Sequence, residues 1–534
     1  MKLNFPLQIK TERNYKDKVT AIKKKLIKYT DDSFFNNMYL HFQRIRNTKQ
    51  GIVSNFPWCC FLALKWKFTE TTRSHPIEMR ERDFVNIINS IYNLQSDVDG
   101  LYDNNKVLLS IRRMIVNQQL YQTSMKLELN SLARQYYWYT NYGGGYFERS
   151  FKELYGLTLD EYYKISSYFA LISCIDDKKE STYIGMNVYL IHLIPHFGAE
   201  TIKKYLNLVC IKSEELRGFF SDYIDEQQKD IEYFLDTPML NKPLIHTSDG
   251  LVILSKHILR ASLSALVPSL LKKELASAYK DKFGKAMESY IGSLLNKVFD
   301  NVSTEVDIMN IYRKNNVPEK TKVVDFIVHE NGNNVYIDSK AIEPDKTVKY
   351  SNNAIFIKQR LGNSFIKGVL QGQDCARTLN SINNRGSSKG DSLIIITHTD
   401  HYISTGKTIE DMLDNSFFEL IEGKYGDLSI SKERIYYMTV DEFEYLSQVC
   451  QNKNITITSV IDACSRDDAS KKTQKFNVMM HLYKISPEGI PDLDIIKSVR
   501  EEMFDELMDP LRNSSLHWDG RVHDFLSIKN YILS

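Results

Sequence analysis

Residues Val323–Ile342 read VVDFIVHENGNNVYIDSKAI. Two apolar runs, Val323–Val328 and Val335–Ile342, flank a Glu-Asn-Gly-Asn-Asn turn. Asn-Gly between two such runs predicts a β-hairpin, because both residues tolerate positive φ. Each run carries a carboxylate where a strand ordinarily places an apolar residue: Asp325 in the first and Asp338 in the second. Lys340 follows two residues after Asp338 and so shares its strand face. A two-residue loop pairs Glu330 with Asn333 and sets Asp325 opposite Asp338. A four-residue loop sets Asp325 opposite Lys340 and diagonal to Asp338. Either register puts the three ionic side chains on one face; a three-residue loop would not. Opposed Cβ atoms lie about 5 Å apart, and like charges there repel. Two carboxylates so placed favour a divalent cation between them, and hard oxygen donors suit Mg²⁺ or Mn²⁺.

Working outward, residues 270–299 show a helical period. Met287, Ile291, Leu294, Leu295 and Val298 form one apolar stripe, and Glu288 stands within it. A carboxylate on a buried face is costly unless it is paired or bound to a metal; the plainer reading is a Glu at the stripe's edge, salt-bridged. Ser303–Tyr312, STEVDIMNIY, reads as a strand. Helical spacing returns over about 354–379, with Leu361, Phe365, Ile366, Val369, Ala376 and Leu379 on the buried face. Ser392–Thr397, SLIIIT, is a near-continuous apolar run that suits a strand covered on both faces. Arg434–Val440, RIYYMTV, is a further strand, with Asp441 as the N-cap of a following helix.

This order is a helix with Glu288, a strand, a strand with Asp325, a strand with Asp338-Ser339-Lys340, a helix and a strand. It resembles the core of the restriction-endonuclease-like superfamily, the PD-(D/E)xK nucleases, over roughly residues 270–400. Asp325 matches the first acidic position, Asp338-Ser339-Lys340 the (D/E)xK triplet, and Glu288 the acidic residue often found on the first core helix. Val324 stands where the motif's name has proline. The triplet alone carries little weight, since Asp176-Asp177-Lys178 also satisfies it in an evident turn. Its context carries the weight: both acids interrupt apolar runs joined by a hairpin turn. The competing reading is an ordinary hairpin with an inward Asp338–Lys340 ion pair, which would bury three charges without an obvious fourth partner.

The resemblance implies an α/β core of order αβββαβ, a mixed sheet flanked by helices. It implies a phosphodiester hydrolase with catalytic Asp325, Asp338, Lys340 and Glu288, acting on nucleic acid, DNA before RNA. Mg²⁺ (or Mn²⁺) would be held by Asp325, Asp338, Glu288 and the Ser339 carbonyl. Lys340 would orient the attacking water or offset charge on the phosphorane-like state. A role in restriction or anti-phage defence follows by analogy only. The alternative class is a catalytically inactive nuclease-fold protein that binds nucleic acid or serves as a scaffold. Gln373 is a further candidate, because some exonuclease branches place a Gln near here, followed by a Tyr. Arg377 stands where that Tyr would be, and a helix-surface or inter-element hydrogen bond is the plainer role.

The whole chain of 534 residues allows several domains. The expected architecture is α+β and multidomain. A largely α-helical region, 1–245, serves recognition, regulation or oligomerisation through a homo-oligomer or partner protein. The α/β core occupies 246–445, and a mixed extension 446–534. Within the first region, Asp83–Leu94, Val107–Leu120 and Ile202–Val209 show helical spacing. Arg134–Phe147, RQYYWYTNYGGGYF, is aromatic-dense; a core cluster followed by a loop is the plainer reading, and base stacking the sharper one. Gly143–Gly145 lacks the Lys-Ser/Thr of a phosphate loop. Asp176–Glu180, DDKKE, reads as a solvated turn. Leu251–Leu254 reads as a strand near the first boundary.

The net charge is +2, so affinity for nucleic acid must come from a local basic surface. The seven cysteines contain no CxxC pair, which excludes zinc spacing and argues against a disulfide framework. The N-terminus lacks an apolar signal region. The longest apolar stretches, Trp58–Leu64 and Ala261–Leu271, fall short of the roughly 18 residues of a membrane span. These features together predict a cytoplasmic protein with no membrane partner.

Overall fold

The Asn331-Gly332 turn closes the hairpin in its two-residue register. Glu330 pairs with Asn333, and the two turn residues adopt φ of 48° and 79°, the left-handed values that a tight hairpin matching the sheet twist requires. This is a computed structural model; it describes residues 5–44, 55–98, 107–175, 178–224, 230–342, 346–386 and 389–533. The chain forms two compact units. One comprises 1–102, 113–274 and 498–534, the other 103–112 and 275–497. Helix Lys256–Val298 runs through the boundary near 274 and is broken at Ala276, whose φ is 47°. The architecture is α+β: helices predominate, with one small mixed sheet in each unit.

In the second unit five strands lie in sequence order: β5 (Val302–Thr304), β6 (Phe326–Glu330), β7 (Asn333–Lys340), β8 (Ser392–Thr397) and β9 (Ile435–Thr439). The first two pairings are antiparallel and the last two parallel. A parallel β7–β8 pair needs a crossover, which residues 346–382 supply as three helices, Lys346–Tyr350, Ala354–Leu361 and Phe365–Ile382. The expected single helix over 354–379 is therefore split at 362–364, although all six residues assigned to its buried face are buried. Ser392–Thr397 is buried at every position, as a strand covered on both faces must be. The sheet has helices on both sides. A Cβ on Gly292 would meet the Phe326 ring at 3.1 Å, and one on Gly372 would meet Leu393 Cδ2 at 2.5 Å. Phe326 and Leu393 alternate onto opposite faces, so the Lys256–Val298 helix covers one face and Phe365–Ile382 the other.

Two local readings change. Only Val302–Thr304 of the expected strand Ser303–Tyr312 is extended, and Glu305–Lys314 is a helix. Its start is a reciprocal cap: the Asp307 N–H donates to the Thr304 hydroxyl at 3.4 Å, and the Thr304 N–H to the Asp307 carboxylate at 2.9 Å. Apolar residues inside the run mimic strand alternation, but the cap satisfies helix donors that a strand would leave to a neighbour. Likewise Thr439, rather than Asp441, caps helix Val440–Lys453, with Glu442 closing the box. Thr304→Ala is expected to weaken the first turn of Glu305–Lys314 by about 1 kcal/mol. Faster hydrogen exchange at the amides of residues 306–308 checks this.

The first unit is mainly helical, as expected, and adds a four-stranded sheet of order β1-β4-β3-β2. Its strands are β1 (Thr182–Gly185), β2 (Cys210–Lys212), β3 (Leu244–His246) and β4 (Gly250–Ile253). Strands of three or four residues leave no readable period, which is why only β4 was legible in the sequence. Residues 446–534 form no unit of their own. The stretch to Lys497 joins the second unit, and 498–534 joins the first. The aromatic run Arg134–Phe147 is a packing element: Arg134, Trp138, Tyr139 and Phe147 are buried. Gly143–Gly145, all with positive φ, link two helices. Asp176 and Asp177 lie outside the described residues. Glu180, expected in a solvated turn, is buried and accepts hydrogen bonds from the Ser255 hydroxyl and the His257 N–H. Among the described residues no helix is long and apolar enough to cross a membrane.

Candidate metal centre

The hairpin register continues one step past β6 to place Asp325 level with Asp338. Asp325 immediately precedes the strand, and its Oδ2 accepts from the Ser339 N–H at 2.6 Å and the Ser339 hydroxyl at 2.5 Å. Charge-assisted bonds to a backbone N–H are among the stronger ones a carboxylate makes, and they fix its direction. Ser339 alternates with Asp338, so Asp325 is drawn toward Ser339 rather than straight across to Asp338. The expectation that all three ionic side chains share one face is modified accordingly: Asp338 and Lys340 share theirs, and Asp325 turns at the strand's mouth.

There Asp325 meets two other acids. Glu288, Glu305 and Asp325 each offer a carboxylate oxygen, and the three oxygens lie within 4.8 Å of one another. Glu288 comes from the long helix, from the stripe in which the sequence placed it. Burial, then the charges of Asp325 and Glu305, raises its carboxyl above the ordinary range, with Lys285 and Lys340 pulling the other way. Glu305 is the residue that sequence reasoning missed. It is the first residue of the helix misread as strand, and the Thr304-x-x-Asp307 box would have revealed it.

Asp338 is 1 % exposed. The Lys340 ammonium stands 2.6 Å from its Oδ2, an ion pair outside good hydrogen-bond geometry, and Oδ1 has no hydrogen-bond partner. Burial pushes the Asp338 carboxyl up to about 7; the Asp325 charge adds to this and Lys340 opposes it. Helix Phe365–Ile382 closes over it at a residue without a side chain: a Cβ on Gly368 would meet Ile395 Cδ1 at 3.0 Å and Asp338 Oδ2 at 3.3 Å. Gln373 has a different task. Buried one turn further along, it donates to the Ile430 carbonyl at 2.6 Å and accepts from the Ile430 N–H at 3.0 Å, pinning that loop to the helix.

The donor set is all carboxylate oxygen, gathered closely at the triad and buried with an unsatisfied oxygen at Asp338. Such a set fits a hard divalent cation of the Mg²⁺ or Mn²⁺ type. Glu288, Glu305 and Asp325 would hold it, with Asp338 beside them. Ser339 enters through its N–H and hydroxyl, which orient Asp325; a ligand role for its carbonyl comes from the resemblance. Comparison of the chain with protein-family models, with characterised proteins and with solved structures finds no match.

Proposed function

We propose that this chain is a divalent-metal-dependent nuclease that hydrolyses phosphodiester bonds in DNA in the cytoplasm. The observation that supports this most is the meeting of Glu288 and Glu305, from two helices, with Asp325 of the hairpin, near the buried Asp338 that ion-pairs with Lys340 on the same hairpin. The order of elements around it resembles that of the PD-(D/E)xK core named above, with the helix Glu305–Lys314 inserted after β5. A Mg²⁺ or Mn²⁺ ion there would polarise the phosphate and lower the pKa of a bound water.

The chain's own residues prepare the rest. Ser339 holds Asp325 in one orientation, so no side-chain rotation is needed when substrate arrives. Asp338 anchors the Lys340 ammonium, which is 19 % exposed at its side chain and can offer positive charge to the oxygens where negative charge develops. The helical unit would supply recognition or oligomerisation, and a role in restriction or anti-phage defence suits such a pairing.

One observation favours the scaffold reading instead: the Asp338–Lys340 ion pair balances charge without a metal. A single experiment separates the two. Purified protein is incubated with single-stranded DNA, double-stranded DNA and RNA under a panel of divalent metals, with Asp338→Ala as control. Metal-dependent cleavage by the parent alone supports the enzyme. Binding without cleavage under every metal supports the scaffold.

Glu305 gives a test independent of turnover. Glu305→Gln is expected to weaken Mn²⁺ binding by about 10- to 100-fold, read by titration of the free-ion Mn²⁺ EPR signal. Unchanged affinity would leave Glu305 as a first-turn helix acid and nothing more.

A further inference from the structure

Two exposed lysines border the acidic centre from opposite sides of the sheet. Lys285 lies three residues before Glu288 on the long helix, hence on the same helical face. The neighbouring Gly284 would place a Cβ 3.9 Å from that of Ala341, the residue following Lys340, so this turn of helix passes beside the end of β7. Lys367 precedes Gly368, the glycine that closes over Asp338. Both lysines are exposed, and neither makes an ion pair within 4 Å or a hydrogen bond among the described residues. Each nevertheless lies within the field of the acids: Lys285 acts on Glu288 and Lys367 on Asp338.

These two lysines are exposed beside the cluster, where their charge can meet an anion arriving at the metal. A chain with a net charge of only +2 needs local cations to attract a polyanion.

We infer that Lys285 and Lys367 are positioning residues that hold the backbone phosphates on either side of the scissile phosphodiester, one from each face of the sheet. This rests on the nuclease reading above. Such contacts fix the register of the strand over the metal centre and carry no sequence information.

The test uses the full chain in an Asp338→Ala background, so that substrate is bound and not consumed. Binding of a fluorescein-labelled DNA duplex is followed by anisotropy over a range of KCl concentrations with Mg²⁺ present. Each of Lys285→Ala and Lys367→Ala is expected to weaken binding at low salt. Each is also expected to reduce the slope of log K against log salt by about 0.9, the value for one phosphate contact. Lys→Arg at either position restores the slope, because the charge is retained. A merely structural lysine would lower affinity without changing the slope. A double alanine variant that binds the duplex with the parent's affinity and slope overturns the inference and leaves the nuclease reading standing. A parent that binds no DNA overturns both.

Discussion

Replacing Asp338 by alanine is expected to abolish metal-dependent cleavage while leaving the fold at least as stable as before. The loss should reach two to three orders of magnitude, about 3–4 kcal/mol of transition-state stabilisation, as when one preorganised electrostatic group is removed from an active site. The variant loses a buried carboxylate beside the metal centre and also frees Lys340 from its anchor. Stability moves the other way because Asp338 is costly in the metal-free protein. Burial pushes its folded carboxyl up to about 7, whereas an unfolded Asp ionises near 4. Between those values the folded state holds a proton that the unfolded state has lost, so the contribution of Asp338 to stability falls as pH rises from about 4 through about 7. Asp338→Asn should flatten that decline in urea midpoints measured without metal. In the parent, the same proton competes with the cation, so Mn²⁺ affinity should climb as pH rises through about 7. Undiminished cleavage by Asp338→Ala would remove this residue from the chemistry.

Asp325→Ala is expected to match that loss of cleavage and to differ in stability. Here the carboxylate accepts both the N–H and the hydroxyl of Ser339, at 2.6 Å and 2.5 Å, in a half-buried setting. Removing it leaves two donors at the end of β7 without their acceptor, a cost of about 1–3 kcal/mol. Asp325→Asn, which retains one carbonyl acceptor and loses the charge, should recover part of the stability and none of the metal affinity. Denaturation by urea, followed with Mn²⁺ titration, reads both effects. Equal stability of the Asp325→Ala and Asp338→Ala variants would contradict the assigned difference between an acid held by hydrogen bonds and one buried against its own solvation.

Part of the candidate centre was legible in the sequence. Asp338 and Lys340 share a strand face, as their two-residue spacing requires, and make the ion pair of the competing reading; Glu288 is the one acid in an otherwise apolar stripe. Misreadings cluster where a short run satisfies two periods at once. STEVDIMNIY alternates well enough for a strand, and only the reciprocal Thr304–Asp307 cap reveals the helix. Glu180 sits in a charged run that looks solvated, yet Ser255 and His257, far along the chain, enclose it. Gln373, for which an inter-element hydrogen bond is the plainer reading of the sequence, makes that bond to Ile430, on a loop 57 residues away.

The amino-acid sequence alone determined the hairpin and which side chains share a face, and left a two-residue and a four-residue register open; the folded chain takes the first. Asn-Gly turn chemistry acts between neighbours, and a period of two leaves the strands no freedom to slip by one residue without turning their apolar sides outward. Tertiary structure alone decided that Glu305 joins the acids, that Ser339 turns Asp325 away from Asp338, and that Gly368 lets a helix lie close over a buried carboxylate. Each depends on atoms brought together by packing between distant segments, where local propensity has no influence and only the closure of the core sets who meets whom.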